Sequence, residues 1–487
     1  MNQGIKKIAI IGSGAALSMT VAILAAALKP FKVKIVVLAL PCSTAETLVE
    51  TTGPEFSALC QILGLDERAV IRQCQATFRL GTHYTLGSED MFVPFAHLGV
   101  KAEQDDFEQG LFQLLADKPQ GNLTRWSAAA SAAMAGKFAI AGKDRPDLRQ
   151  ALDYGVHLDI ADYAKQLAKV GAADLVEWHH LSGQTVNIQH DETGNIVQAS
   201  VEQLKVNADF WFDLRSGQSR AQWQDWTADL PIYLSAQWRT QQLKSQQACT
   251  HMHKLQAGWL KIMPLRNGTV YQLFACDQHS DVAQLEQQTR ELGYAINHSL
   301  NWSPLSCGAL ENPWQGNCLY LGKAAIELGD LVFSELQCLQ TALVQFIDLF
   351  PDLPIGEYNR RHYNHKWQHF TQDVRDFSAA HFLSETAKYN GVLTSMPDSL
   401  VTRLQVFARL GRTEPMHSDA VTESQWNHLL FGLGLRPELS SVVLSAMDEP
   451  FLAKAAEQVA QSIANLVAGM PPHQLYMERF YPRPENQ

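Results

Sequence analysis

Ile10-Ile11-Gly12-Ser13-Gly14-Ala15-Ala16-Leu17 sets the architecture of this chain. It lies inside Lys7–Leu40, which reads as strand, glycine turn, helix and second strand. An apolar strand running into Gly12 and Gly14 lets the backbone approach a diphosphate closely, and the following helix aims its free N–H groups and positive dipole end at the anion. The stretch is a candidate dinucleotide cradle. Two parts of that fingerprint are changed: Leu17 stands at the third glycine position, and Ala39 rather than a carboxylate ends the second strand. A secretory signal is the competing reading, because Lys6 and Lys7 precede an apolar run ending in Ala25, Ala26 and Ala27. Two turn-spaced glycines and the alternating Val33–Leu40 segment favour the cradle, and the glycines split a run barely long enough to cross a bilayer.

Around this stretch, 487 residues are enough for a large core and two lobes. A formal charge of -11 without a basic run argues against a nucleic-acid partner. Eight cysteines without C-x-x-C or zinc spacing read as reduced thiols of a cytoplasmic protein. The seventeen histidines show no metal spacing either, and adjacent His179 and His180 cannot share a ligand face, so no metal is expected. G-x-S-x-G, H-E-x-x-H and Walker loops are absent from the sequence.

Along the chain, Leu48–Pro54 reads as a loop and Pro54–Gly64 as a helix with Gly64 at its C-terminal cap. Thr77–Thr85 reads as one strand, Gln104–Lys143 as an irregular or helical excursion, and Ile160–Val170 as a helix. Gln184–Gln189 and Ile196–Val206 flank Asp191-Glu192-Thr193-Gly194 as a hairpin, followed by a strand over Ala208–Asp213. Trp211, Trp223, Trp226 and Trp238 are core packing or the lining of a pocket for a flat substrate. A strand pair, Gly258–Leu265 and Thr269–Cys276, turns at Asn267-Gly268. Beyond Leu319 the pattern is helical, with long amphipathic stretches at Ser334–Phe350 and Tyr358–Ser384. This order predicts an α/β, Rossmann-like nucleotide-binding lobe over residues 1–333 and a helical C-terminal lobe over 334–487.

Several blocks taken in order resemble the flavin-dependent tryptophan halogenase family. Glu50-Thr51-Thr52-Gly53-Pro54, Leu63-Gly64-Leu65-Asp66-Glu67 and Ala76-Thr77-Phe78-Arg79 are similar to its Glu-Ala-Thr-x-Pro, Leu-Gly-Ile-x-Glu and Ala-Thr-Phe-Lys run. Asn317-Cys318, Gly322, Ala324-Ala325, Gln340–Leu343 and Leu349-Phe350-Pro351 follow a later flavin-side block. Tyr358-Asn359-Arg360-Arg361, Val374-Arg375-Asp376-Phe377 with His381 and Phe382, and Gly434-Leu435-Arg436-Pro437 follow its last segments. The resemblance implies a glutathione-reductase-type FAD lobe, reduced flavin from a separate flavin reductase, and a small aromatic or indole-like substrate. A homodimer is left open, and no membrane or nucleic-acid partner is implied. It also implies FAD contacts at Gly12, Gly14, Ala15, Ala16, Leu17, Glu50, Thr52, Val186, Asp213, Lys323 and Leu336.

The reactive positions differ from the family pattern. The family lysine, which holds or carries the halogenating species, falls on Arg79, whose guanidinium stays protonated and can orient such a species but hardly form a haloamine. The family glutamate falls on Val332, which moves no proton. Ser334 and Glu335 stand where halide contacts are expected, and a carboxylate repels an anion. The Trp-x-Trp-x-Ile-Pro motif, associated with restraining monooxygenation, reads Trp259-Leu260-Lys261-Ile262-Met263-Pro264; Lys261 is either a solvated or paired strand lysine or a substitute amine. Glu50 is either a flavin contact or a helix-dipole partner ahead of Pro54, and Asp213 a flavin contact or a strand-end cap. Two functions follow: an FAD-dependent oxidoreductase of halogenase descent, in which Arg79 is the one candidate catalytic residue, or a catalytically silent ligand-binding or partner protein.

Overall fold

The computed structural model describes residues 3–42, 47–99, 105–116, 122–140, 151–172, 174–183, 185–216, 222–242, 247–276, 281–350, 352–353, 355–383, 396–413, 418, 420–438 and 449–482. A six-stranded sheet organises them. Its order is Trp314–Gln315, Cys318–Tyr320, Phe210–Asp213, Lys7–Gly12, Lys34–Ala39 and Val176–His180, parallel throughout except at the Trp314–Gln315 edge.

The first strand is apolar at every inner position because both of its faces are covered. Ile8 and Ile10 pack into the main core with the Gly14–Leu28 helix, whereas Ala9 and Ile11 pack beneath the three-stranded sheet of Asn187–His190, Ile196–Val201 and Leu204–Val206. The Gly14–Leu28 helix is apolar almost all round for the same reason. It lies between the six-stranded sheet and the helices Ile160–Val170 and Glu335–Asp348. Although Gly14–Phe31 is long and apolar enough to span a bilayer, 56% of it is buried inside the protein.

A seven-stranded, mostly antiparallel sheet includes Gly81–Leu86, Thr250–Leu255, Gly258–Leu265 and Gly268–Ala275. Between the two large sheets stands a three-stranded one, in which Gly155–Asp159 pairs with Val49–Thr51 on one side and Thr77–Arg79 on the other. Thr77 Oγ1 donates to the Pro264 carbonyl and so ties it to the seven-stranded sheet. The C-terminal region is helical: Glu357–Ala380, Asp398–Leu410, Glu423–Gly432, Glu449–Ala468 and His473–Phe480.

Local expectations fail where a tertiary partner intervenes. Leu48–Pro54 contains the strand Val49–Thr51, because Gly155–Asp159 offers it a partner. Thr77–Thr85 is two strands in two sheets, broken at Leu80 before Gly81. Ile196–Val206 is itself a hairpin, turning at Glu202 with φ 53°. Ser334 caps the Glu335–Asp348 helix, as its side chain accepts from the Gln337 N–H. The expected helix over Tyr358–Ser384 spans Glu357–Ala380, and Ser384, like Lys143 and Pro351, lies outside the described residues. Trp211, Trp226 and Trp238 are core residues, and Trp223 is half-buried.

Candidate functional site

The glycine turn borders a cavity of about 240 Å³ lined by Gly12, Ser13, Ala15, Ala16, Glu50 and Arg215, among others. Gly14 sits at φ 63°, where an L side chain is strained, and this reverses the chain into the helix. Ser13 makes no capping hydrogen bond, so the first N–H groups of the helix keep their donors for another acceptor. Gly12 answers to packing: a Cβ there would meet Leu214 Cβ at 2.9 Å.

Of the other expected contacts, Lys323 and Leu336 line this cavity. Leu17 does not; it is 3% exposed and packs in the core beneath, leaving the crevice open. Thr52 lies behind the cavity, with its hydroxyl bound to the Val156 backbone. Asp213 and Val186 hold Arg215: its guanidinium donates to Asp213 at 2.7–3.2 Å and to the Val186 carbonyl at 3.2 Å. Arg215, which reaches the cavity itself, was not among the sequence candidates; its signal was the extra residue before Ser216 after the strand end. Leu40 and Pro41 line the place where a ribose carboxylate would stand. Lys323 reaches Glu335 at 3.7 Å, and the Glu335 carboxylate raises its pKa above the usual lysine range.

A second cavity, about 590 Å³, contains both substituted positions, Arg79 and Val332, with Tyr84, Phe95, Phe333 and Phe377. Residues Val332–Leu336 form the wall between the two cavities: Val332 and Phe333 face the second, Glu335 and Leu336 the first. Inside that wall the Ser334 hydroxyl donates to Glu50 Oε1. Arg79 is 7% exposed; its Nη1 donates to the Thr52 carbonyl and its Nη2 to Thr82 Oγ1, both at 3.1 Å. Tyr84 is fixed from behind. His381 Nδ1 donates to the Phe377 carbonyl at 2.8 Å, and burial lowers the ring to about 4, so its neutral Nε2 accepts from the Tyr84 hydroxyl at 2.9 Å.

Lys261 is neither solvated nor at the surface. It is 3% exposed and its Nζ donates to the Asp330 carbonyl at 2.6 Å. Burial pushes it down to about 8 and pushes Glu50 up to about 8, the latter moderated by Ser334. Glu50 lines the first cavity, and its carboxyl meets the hydroxyl of Ser334, the residue that caps the Glu335–Asp348 helix.

Glu50 makes stability pH-dependent. Its folded pKa lies above the unfolded value of 4.5, so its stabilising share is complete below about pH 4.5 and is lost as pH rises toward 8. Glu50→Gln should therefore flatten a decline of up to about 1.4 kcal/mol per pH unit across that window. Urea melts at pH 5, 6, 7 and 8 check this; identical slopes in both proteins contradict it.

The profile of the family described as tryptophan halogenase matches residues 7–449. The tryptophan 6-halogenase ThaL of Streptomyces albogriseolus is 24% identical over 418 residues, covering 78% of this chain and 77% of that protein. The 7-chloro-L-tryptophan 6-halogenase KtzR of Kutzneria sp. (strain 744) is 24% identical over 236 residues, 46% of this chain, which spans only 45% of that relative's length. The solved structure of Xcc4156, a flavin-dependent halogenase from Xanthomonas campestris, superposes with a TM-score of 0.89 at 21% identity over 100% of both chains, a likeness of fold.

Proposed function

Because the chain belongs to the tryptophan halogenase family, we propose that it is an FAD-dependent oxidoreductase acting on a small aromatic, indole-like substrate without the family's lysine–glutamate halogenation. The observation that carries this reading is one wall with two faces: the uncapped helix start opens on one side and an aromatic cavity on the other. The residues present fit the cofactor. Gly14 keeps the turn tight, the free N–H groups of the helix suit a diphosphate, and Arg215 and Lys323 reach the cavity as cations, each paired with one carboxylate, Asp213 and Glu335.

With reduced FAD bound, the chemistry supplied is activation of molecular oxygen, its reducing equivalents brought by a separate flavin reductase. The chain's own residues do the rest. Val332 and Phe333 keep the wall apolar toward the substrate, and Tyr84, held by His381, adds an oriented ring. Glu50, protonated below about pH 8, and Ser334 can pass a proton within the wall. Glu335 places a carboxylate on the cofactor side, where it disfavours a halide.

The test is product analysis with indole, FAD, a flavin reductase and bromide. Above a blank of reductase and FAD alone, the wild type should release peroxide or oxygenated indole at a rate independent of bromide, and Arg79→Lys with Val332→Glu should add brominated product. Efficient bromination by the wild type contradicts the reading. A silent ligand-binding role is the second reading, favoured by the Lys323–Glu335 pair inside the first cavity; FAD binding with no product in any variant beyond what reductase and FAD give alone would select it.

A further inference from the structure

Arg79 carries more positive charge into the second cavity than the surrounding protein answers. A guanidinium has five N–H donors. Two of those of Arg79 are spent, on one carbonyl and one hydroxyl, and its Nε is buried without a partner. Among the described residues no carboxylate lies within ion-pair distance of it. A buried cation held only by neutral acceptors is costly, and a carboxylate meeting its fork would recover part of that cost. Burial lowers its pKa to about 10, which leaves it charged throughout the physiological range.

The surroundings select the rest of the ligand. The guanidinium lies over the Phe95 ring, 4.8 Å from its centroid, and Phe333, Phe377 and Tyr84 line the same cavity. Glu55 and Asp153 also line it. Glu55 is turned to the Gly53 N–H at 3.0 Å, and burial raises Asp153 to about 6. Asp348 lines it too, and so does a second cation, Lys366; of the two cations Arg79 is the buried one and lies against the Phe95 ring.

Resting on the reading of this cavity as the substrate site, we propose that Arg79 is its anion-recognition residue and that the ligand is an aromatic acid, its carboxylate on the guanidinium and its ring among Phe95, Phe333 and Phe377. The exchange of lysine for arginine then changes a reactive amine into a bidentate clamp.

The test needs no cofactor. Flavin-free protein is titrated calorimetrically with indole-3-acetate, its neutral isostere indole-3-acetamide, and bromide. The acid should bind at least about tenfold more tightly than the amide, Arg79→Gln should erase that difference while leaving amide affinity within about twofold, and Arg79→Lys should restore part of it. Bromide should compete with the acid at Arg79. Equal binding of acid and amide, unchanged acid affinity in Arg79→Gln, or binding of bromide alone overturns the proposal. An unaltered thermal melt and FAD titration of Arg79→Gln show that the fold and the cofactor cavity are intact, so failure here is separate from failure of flavin binding.

Discussion

Gly14→Val should weaken FAD binding by about tenfold to a hundredfold. Gly14 occupies φ 63°, where a β-branched side chain costs about 1–3 kcal/mol. The turn can relieve that strain only by rotating the first peptides of the Gly14–Leu28 helix, whose unsatisfied N–H groups are the diphosphate donors. The variant should retain its far-ultraviolet circular dichroism, because the Ile8 and Ile10 packing that holds the strand does not pass through Gly14. Flavin fluorescence titration of both proteins checks this, and equal affinities would remove the glycine turn from the cofactor site.

Arg403→Ala should give the largest loss of stability, about 3–5 kcal/mol. Asp373 is fully buried; Arg403 donates to its Oδ1 at 3.1 Å, and the Ser418 hydroxyl and N–H donate to its Oδ2. Arg403 also lies over the Trp426 ring, 4.8 Å from its centroid. One residue thus joins the helices Glu357–Ala380, Asp398–Leu410 and Glu423–Gly432, and its removal strands a carboxylate in the interior. Phe377, Ser418 and Gln425 from the same region wall the second cavity, so aromatic-acid binding should fall with stability while FAD affinity holds. A chemical denaturation midpoint unchanged by the substitution contradicts this.

The parts of the molecule legible in the sequence are those written in contiguous residues. Strand, turn and helix at Lys7–Leu28 depend on local periodicity and two glycines, and Gly64 ends its helix by chemistry visible within a few residues. The ordered blocks singled out Arg79 and Val332, 253 residues apart (332 − 79), and the fold brings them to one cavity. Contacts between distant segments were out of reach. The hydrogen bonds from Ser334 to Glu50 and from Lys261 to the Asp330 carbonyl join separate elements, so neither burial nor protonation could be read from composition. Asp213 shows the same limit: its position was plain, but its commitment to Arg215 depended on how the chain turns after the strand.

A flavin nucleotide in the glycine-turn cavity is what the proposed function requires. Titration of the purified wild-type protein with oxidised FAD, and anaerobically with reduced FAD, addresses it most directly. A perturbed, quenched flavin spectrum saturating at micromolar concentration is the predicted result, and absence of binding in both redox states would contradict the account.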